Sequence, residues 1–181
     1  MDAVSVKADL RELIRSNEDA LIQGMVHQGQ QRFIKQVALS NLTPPSGYYY
    51  ILVYVTDQRE FTRGQTSTVQ KPTPQAEYEV QLEVSDEALV QIGDLEAYET
   101  MHLDFDRFTD RLVDLIREQS WFGSDPKRKL KRAAGEQDRR VEKSNLSGTF
   151  VDTENNSTAT LYCQIRFTLV EECVDRSKLY E

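Results

Sequence analysis

Residues 76–85 read AEYEVQLEVS, and their alternation decides the fold. Tyr78, Val80, Leu82 and Val84 fall on one side of an extended chain, and Glu77, Glu79, Gln81 and Glu83 on the other. That two-residue period is the mark of a strand with one face in a core and one in water. Residues 158–170 repeat it: Leu161, Cys163, Ile165, Phe167 and Leu169 alternate with Tyr162, Gln164, Arg166 and Thr168. A half-buried sheet needs an apolar cover. Residues 104–118 supply one, with Phe105, Phe108, Leu112, Leu115 and Ile116 on one helical face and Asp104 as the expected cap.

Working outward, residues 48–56 (YYYILVYVT) form a short apolar run rich in β-branched and aromatic residues, read as a strand covered on both faces. Pro44, Pro45 and Gly47 end any helix before it. Residues 6–14 place Leu10, Leu13 and Ile14 together at helical spacing, an amphipathic helix. A second helical stretch over 18–39 is interrupted by Gly24 and Gly29. Residues 86–99 suggest a short helix ending near Gly93, and 141–151 a weak strand. The polar segment 57–74, with Gly64, Pro72 and Pro74, reads as a long loop or hairpin arm. Residues 124–140 read as a surface loop or exposed helical turn, and 175–181 as a tail.

The fold class expected is α+β: an antiparallel or mixed sheet with helices on one face, a long polar hairpin arm and a basic insertion, all in one domain spanning 1–181. A chain of 181 residues buries enough surface for one such core. No stretch approaches the roughly 20 apolar residues of a membrane helix, and the first residues lack a signal-peptide pattern, so a cytoplasmic origin without membrane contact is expected. The sequons at Asn41, Asn145 and Asn156 then mark only polar turns.

Chemistry is sparse. The only histidines, His27 and His102, sit in no nucleophile-activating motif, and the eight glycines are scattered singly, so no phosphate-cradling loop forms. Cys163 and Cys173, on one extended segment, should not pair, and with two histidines they do not make a zinc set. Glu77, Glu79 and Glu83 are the best paired carboxylates, yet alternation alone explains them. Asp104 and Asp106 fit a helix start better than a metal. The expectation is a protein without enzymatic activity, cofactor or metal.

A net charge of -8 opposes nonspecific binding to nucleic acid. Residues 125–140 run against it, with seven basic side chains to three acidic. Lys127, Arg128, Lys129, Lys131 and Arg132 crowd together without interleaved aromatics, so base recognition is no more favoured than contact with an acidic protein surface, and plain solvation is favoured over both.

The element order resembles that of the tail-terminator proteins of long-tailed bacteriophages. The resemblance lies in an N-terminal helix, the strand entry YYYILVYVTDQREFTRG, its partner AEYEVQLEVSD, the helix DFDRFTDRLVDLIRE and the closing strand ATLYCQIRFTLVEE. It is similarity of pattern over roughly residues 10–172, with the stretch before Tyr48 and the basic insertion as additions. It implies a structural virion protein at the tail–neck junction, assembled in host cytoplasm as a ring, commonly a hexamer, that caps the tail tube and ends its polymerisation. Implied partners are copies of itself, the tail tube protein, neck or connector proteins and, in a contractile tail, the sheath. DNA passes through without specific binding. On this reading Glu77, Glu79 and Glu83 line a lumen that repels phosphate. Arg59, Glu60, Phe61 and Arg63 form an arm reaching a neighbour or the tube, and the segment from Lys127 to Arg132 meets the sheath. Another neck or head-completion ring protein, or a monomeric protein-binding module, fits the same pattern.

Overall fold

The computed structural model describes residues 3–27, 30–40, 49–60, 73–91, 94–123, 128–132, 141–152 and 156–173. Helix α1 (Ala3–Ser16) is followed by a single turn and a half, α2 (Glu18–Ile22), and two short strands, β1 (Val26–His27) and β2 (Gln30–Gln31), paired antiparallel. Then come β3 (Gln36–Ala38), β4 (Tyr50–Glu60), β5 (Thr73–Gln91), α3 (Leu95–Glu118), β6 (Arg128–Arg132), β7 (Glu142–Asp152) and β8 (Asn156–Cys173). The main sheet runs β3-β4-β5-β8-β6, with β7 on the same edge of β8 as β6 but further along it. Only β3–β4 is parallel, so the sheet is mixed and the α+β class holds.

Alternation builds the core as expected. From β5, Tyr78, Val80, Leu82 and Val84 are buried, and from β8, Leu161, Cys163, Ile165, Phe167 and Leu169 join them. Helix α1 adds Val6, Leu10 and Ile14, and α3 adds Met101, Phe105, Phe108, Leu112, Val113 and Ile116 to the same cluster. Both helices therefore lie on one face of the sheet. The first half of β4 is buried on both sides: Tyr49, Ile51 and Val53 enter this core, while Tyr50, Leu52 and Ala38 form a smaller cluster opposite.

Five local expectations are corrected. Helix α3 begins ten residues before Phe105, capped by the Asp94 carboxylate, which accepts from Ala97 N–H at 2.9 Å. Asp104 is a buried mid-helix residue paired with Arg107 at 3.5 Å, because Met101 extends the apolar face back through the preceding turn. Residues 86–91 continue β5 against β8 and form no helix. Among the described residues of the stretch 18–39 only α2 is helical, and Gly24, at φ +77°, turns the chain into β1. Arg128–Arg132 is a strand, not a loop or helical turn, because Leu130 anchors it fully buried in the core. Asn145 and Asn156 likewise lie in β7 and β8 and not in turns, since their neighbours pair along β8. The strand expected over 141–151 is β7. The tail 175–181 lies outside the described residues.

Candidate functional site

Strand pairing brings the two sequence-remote segments of interest to one end of the sheet. A single register line runs Arg59, Glu77, Val170, Lys131 across β4, β5, β8 and β6. The next line runs Glu60, Ala76, Glu171, Leu130. The base of the arm and the basic strand thus end opposite edges of the same rows, three strand spacings or roughly 14 Å apart. Of the proposed arm residues, Arg59 is exposed and bonds Asp57 at 3.0 Å and Glu79 at 3.5 Å. Glu60 ends β4, and Phe61 and Arg63 lie outside the described residues, as does Lys127 of the basic segment.

The basic strand is held from both sides. It pairs β8 along its length, and on its other edge Phe122 N–H donates to Leu130 C=O at 2.7 Å. Lys131 lies over the Trp121 ring at 5.9 Å from the centroid. The approach to this strand passes Gly123, whose φ of +92° is strained for any residue with a Cβ, and a Cβ there would also displace the Asp9 carboxylate of α1.

Glu77, Glu79 and Glu83 project from the sheet face that the helices leave uncovered. They do not form a bare acidic stripe. Glu79 faces Arg59, Glu83 accepts from Gln81 Nε2 at 2.8 Å, and Arg166 Nε donates to Gln81 Oε1 at 3.0 Å. Further along this face, Tyr50, Ser85, Tyr162 and Leu146 stand in one row. The small Ser85 between two tyrosines leaves a shallow groove of about 190 Å³, ended by Leu52, Glu83 and Gln164.

Sequence reasoning missed one polar feature. Arg32 and Asp86, 54 residues apart, are fully buried, with Arg32 Nη2 2.6 Å from the carboxylate. The guanidinium lies over the Tyr49 ring, which stacks on Phe108 at 3.9 Å and donates its hydroxyl to Met25 Sδ. Burial lifts the Asp86 carboxyl to about 7 against the pull of Arg32, with Asp104 adding to the rise. Burial also raises the Tyr49 hydroxyl, and lifts the Cys163 thiol to about 11. Arg32, with Asp86 and Tyr49, is buried beneath the helices and clasps the segment after β2 to the sheet. Arg15 and Glu18 hold the same segment by the carbonyl and N–H of Ile34, at 2.8 and 2.9 Å.

Among the described residues no three His, Cys, Asp or Glu side chains cluster as metal ligands, and no helix is long and apolar enough to cross a membrane. His102 bonds the Tyr98 hydroxyl at 2.6 Å, and the His27 side chain is outside the described set. No protein-family model matches the chain, and no curated protein matches its sequence.

Proposed function

We propose that this chain is the subunit of a ring, hexameric in the reading adopted, that caps a bacteriophage tail tube, ends its polymerisation and joins it to the neck. The observation that carries the reading is the convergence of the arm base and the basic strand on one end of a one-sided sheet. A subunit that meets the tube at one end needs its projections grouped there. The element order supports the same reading: an N-terminal helix, a long strand pair, a long helix and a closing strand. The function is assembly and not catalysis.

The open face carries Glu77, Glu79 and Glu83 and suits a lumen, because fixed carboxylates disfavour phosphate contact and let DNA slide. Arg59 and Arg166 temper that charge. The arm that begins at Arg59 and Glu60 contacts the tube. The test is cryo-electron microscopy of the assembled particle. Density for this chain as a ring at the head-proximal end of the tube is expected. Density in the connector, or absence of the chain from the particle, overturns the reading.

A further inference from the structure

Trp121 is the only tryptophan in the chain, and it stands 40 % exposed on a rigid base at the outer edge of β6. Its neighbour Phe122 is buried and bonds the Leu130 carbonyl at 2.7 Å, and Gln119 Nε2 donates to the Trp121 carbonyl, also at 2.7 Å. Lys131 lies over the indole, so an aromatic ring and a cation are presented together. The groove on the open face has the complementary character. Ser85 floors it between Tyr50 and Tyr162, and Leu146 walls it at 47 % exposure. Its volume of about 190 Å³ exceeds the roughly 150 Å³ that hold a benzene ring. Glu83 lines it, Glu87 stands one row beyond, and no lysine or arginine occurs among the described residues of the three rows through Glu83, Ser85 and Glu87. Arg166, in the next row, is turned onto Gln81 and Gln164.

We infer that Trp121 of one copy docks in the open-face groove of a second copy of this chain, with Lys131 facing Glu83 and Glu87 at the rim. This rests on the ring reading and names the contact between neighbours. Within one copy the two features do not meet. Lys131 pairs Val170, and the groove lies at Tyr162, eight residues and roughly 26 Å back along β8. Between copies they match in shape and in sign, an aromatic ring for an apolar slot and a cation for two carboxylates. Glu83 also accepts from Gln81, and a carboxylate has room for a further donor.

Tryptophan is the side chain that most often anchors an interface, and one held in place before contact loses little freedom on docking. Ring and groove are different patches, so the contact repeats from copy to copy, as a ring requires and a two-fold dimer does not. Glu77 and Glu79 lie six or more residues of β5 from Ser85, roughly 20 Å toward the arm end, and stay clear of the contact. They remain available to a lumen, and Glu83 borders the interface.

Sedimentation velocity of the full chain, read together with the emission of its single tryptophan, tests the inference. The wild type is expected to associate as concentration rises, with a blue shift of the emission and less quenching by acrylamide. Trp121→Ala and Leu146→Lys should each weaken association by about tenfold or more. The first variant keeps the groove and lacks the ring, and the second keeps the ring and blocks the groove. Mixed, they should form one-to-one dimers and nothing larger. The emission of Leu146→Lys should then shift to the blue, since Trp121→Ala contributes no tryptophan, and this rescue shows that both variants fold. Lys131→Gln should weaken wild-type association and leave the melting temperature unchanged. A wild type that is monomeric at every concentration, association indifferent to Trp121→Ala or Leu146→Lys, or a mixture that stays monomeric overturns the proposal. No tube is present in the experiment, so its failure leaves tube capping standing, and a misplaced ring in the particle would refute capping alone.

Discussion

The two faces of the central sheet are made by the same strands and obey opposite rules. On the helix-covered face, every second residue from Ala76 to Val84 of β5 and from Ala159 to Leu169 of β8 is apolar and buried, and the buried charges Arg32 and Asp86 lie against each other. On the open face the intervening residues are mostly polar, with Glu, Gln, Arg and Thr among them, and Gln81 links Glu83 to Arg166. A charge is tolerated beneath the helices only with a partner in place, because desolvation there costs several kcal/mol. On the open face the same charge costs little and remains available to other molecules. Stability and recognition are thus separated by a half-turn of the strand.

The contrast breaks most visibly at Arg32. Above about pH 7, replacement by Met leaves Asp86 buried without its counter-ion and should lower unfolding free energy by about 3–5 kcal/mol in urea denaturation. Arg32→Met combined with Asp86→Leu should recover most of that loss, since neither charge is then stranded. The pair also carries a pH signature. The folded state holds the Asp86 proton up to about pH 7, whereas an unfolded aspartate releases it near pH 4. The stability this group contributes is therefore complete below about pH 4 and is lost as pH rises to about 7. Relative to Asp86→Asn, the wild-type melting temperature should fall across that window, and parallel melting curves would refute the assignment.

Adjacent residues of β5 sharpen the comparison. Leu82 is fully buried, and Leu82→Ala should cost about 2–5 kcal/mol by transfer and cavity formation. Gly123→Ala should cost about 1–2 kcal/mol, because φ +92° is strained for alanine and Asp9 must move, loosening α1 from the approach to β6. Glu83→Ala, one residue from Leu82 on the other face, should change stability by no more than about 0.5 kcal/mol. A large effect at Glu83 would mean that the open face is structural and not a contact surface.

The elements with a strong period were legible residue by residue. The strand alternation of 76–85 and 158–170 and the apolar stripe from Phe105 to Ile116 each state which side faces the core. The errors fell where a local signal was mistaken for a boundary. Asp104 precedes Phe105 and looks like a cap, but Tyr98 and Met101 continue the stripe N-terminally, and Asp94 is the residue that caps. The run RKLKR reads as a solvated loop because one leucine among four cations makes no period. Only the space that β8, Phe122 and the core offer to Leu130 turns it into a strand. Of the candidate site, the chemistry of the residues was visible and their grouping was not.

Sequence alone determined the α+β class, the faces of the two long strands and the amphipathic helices, since these follow from spacings of two to four residues within one segment. Tertiary structure alone decided the strand order, the meeting of Arg32 with Asp86, and the placing of the arm base and the basic strand at opposite edges of the same rows. Such pairings are selected by the free energy of the whole core, in which residues far apart in the chain compete for the same partners, and no local pattern records that outcome.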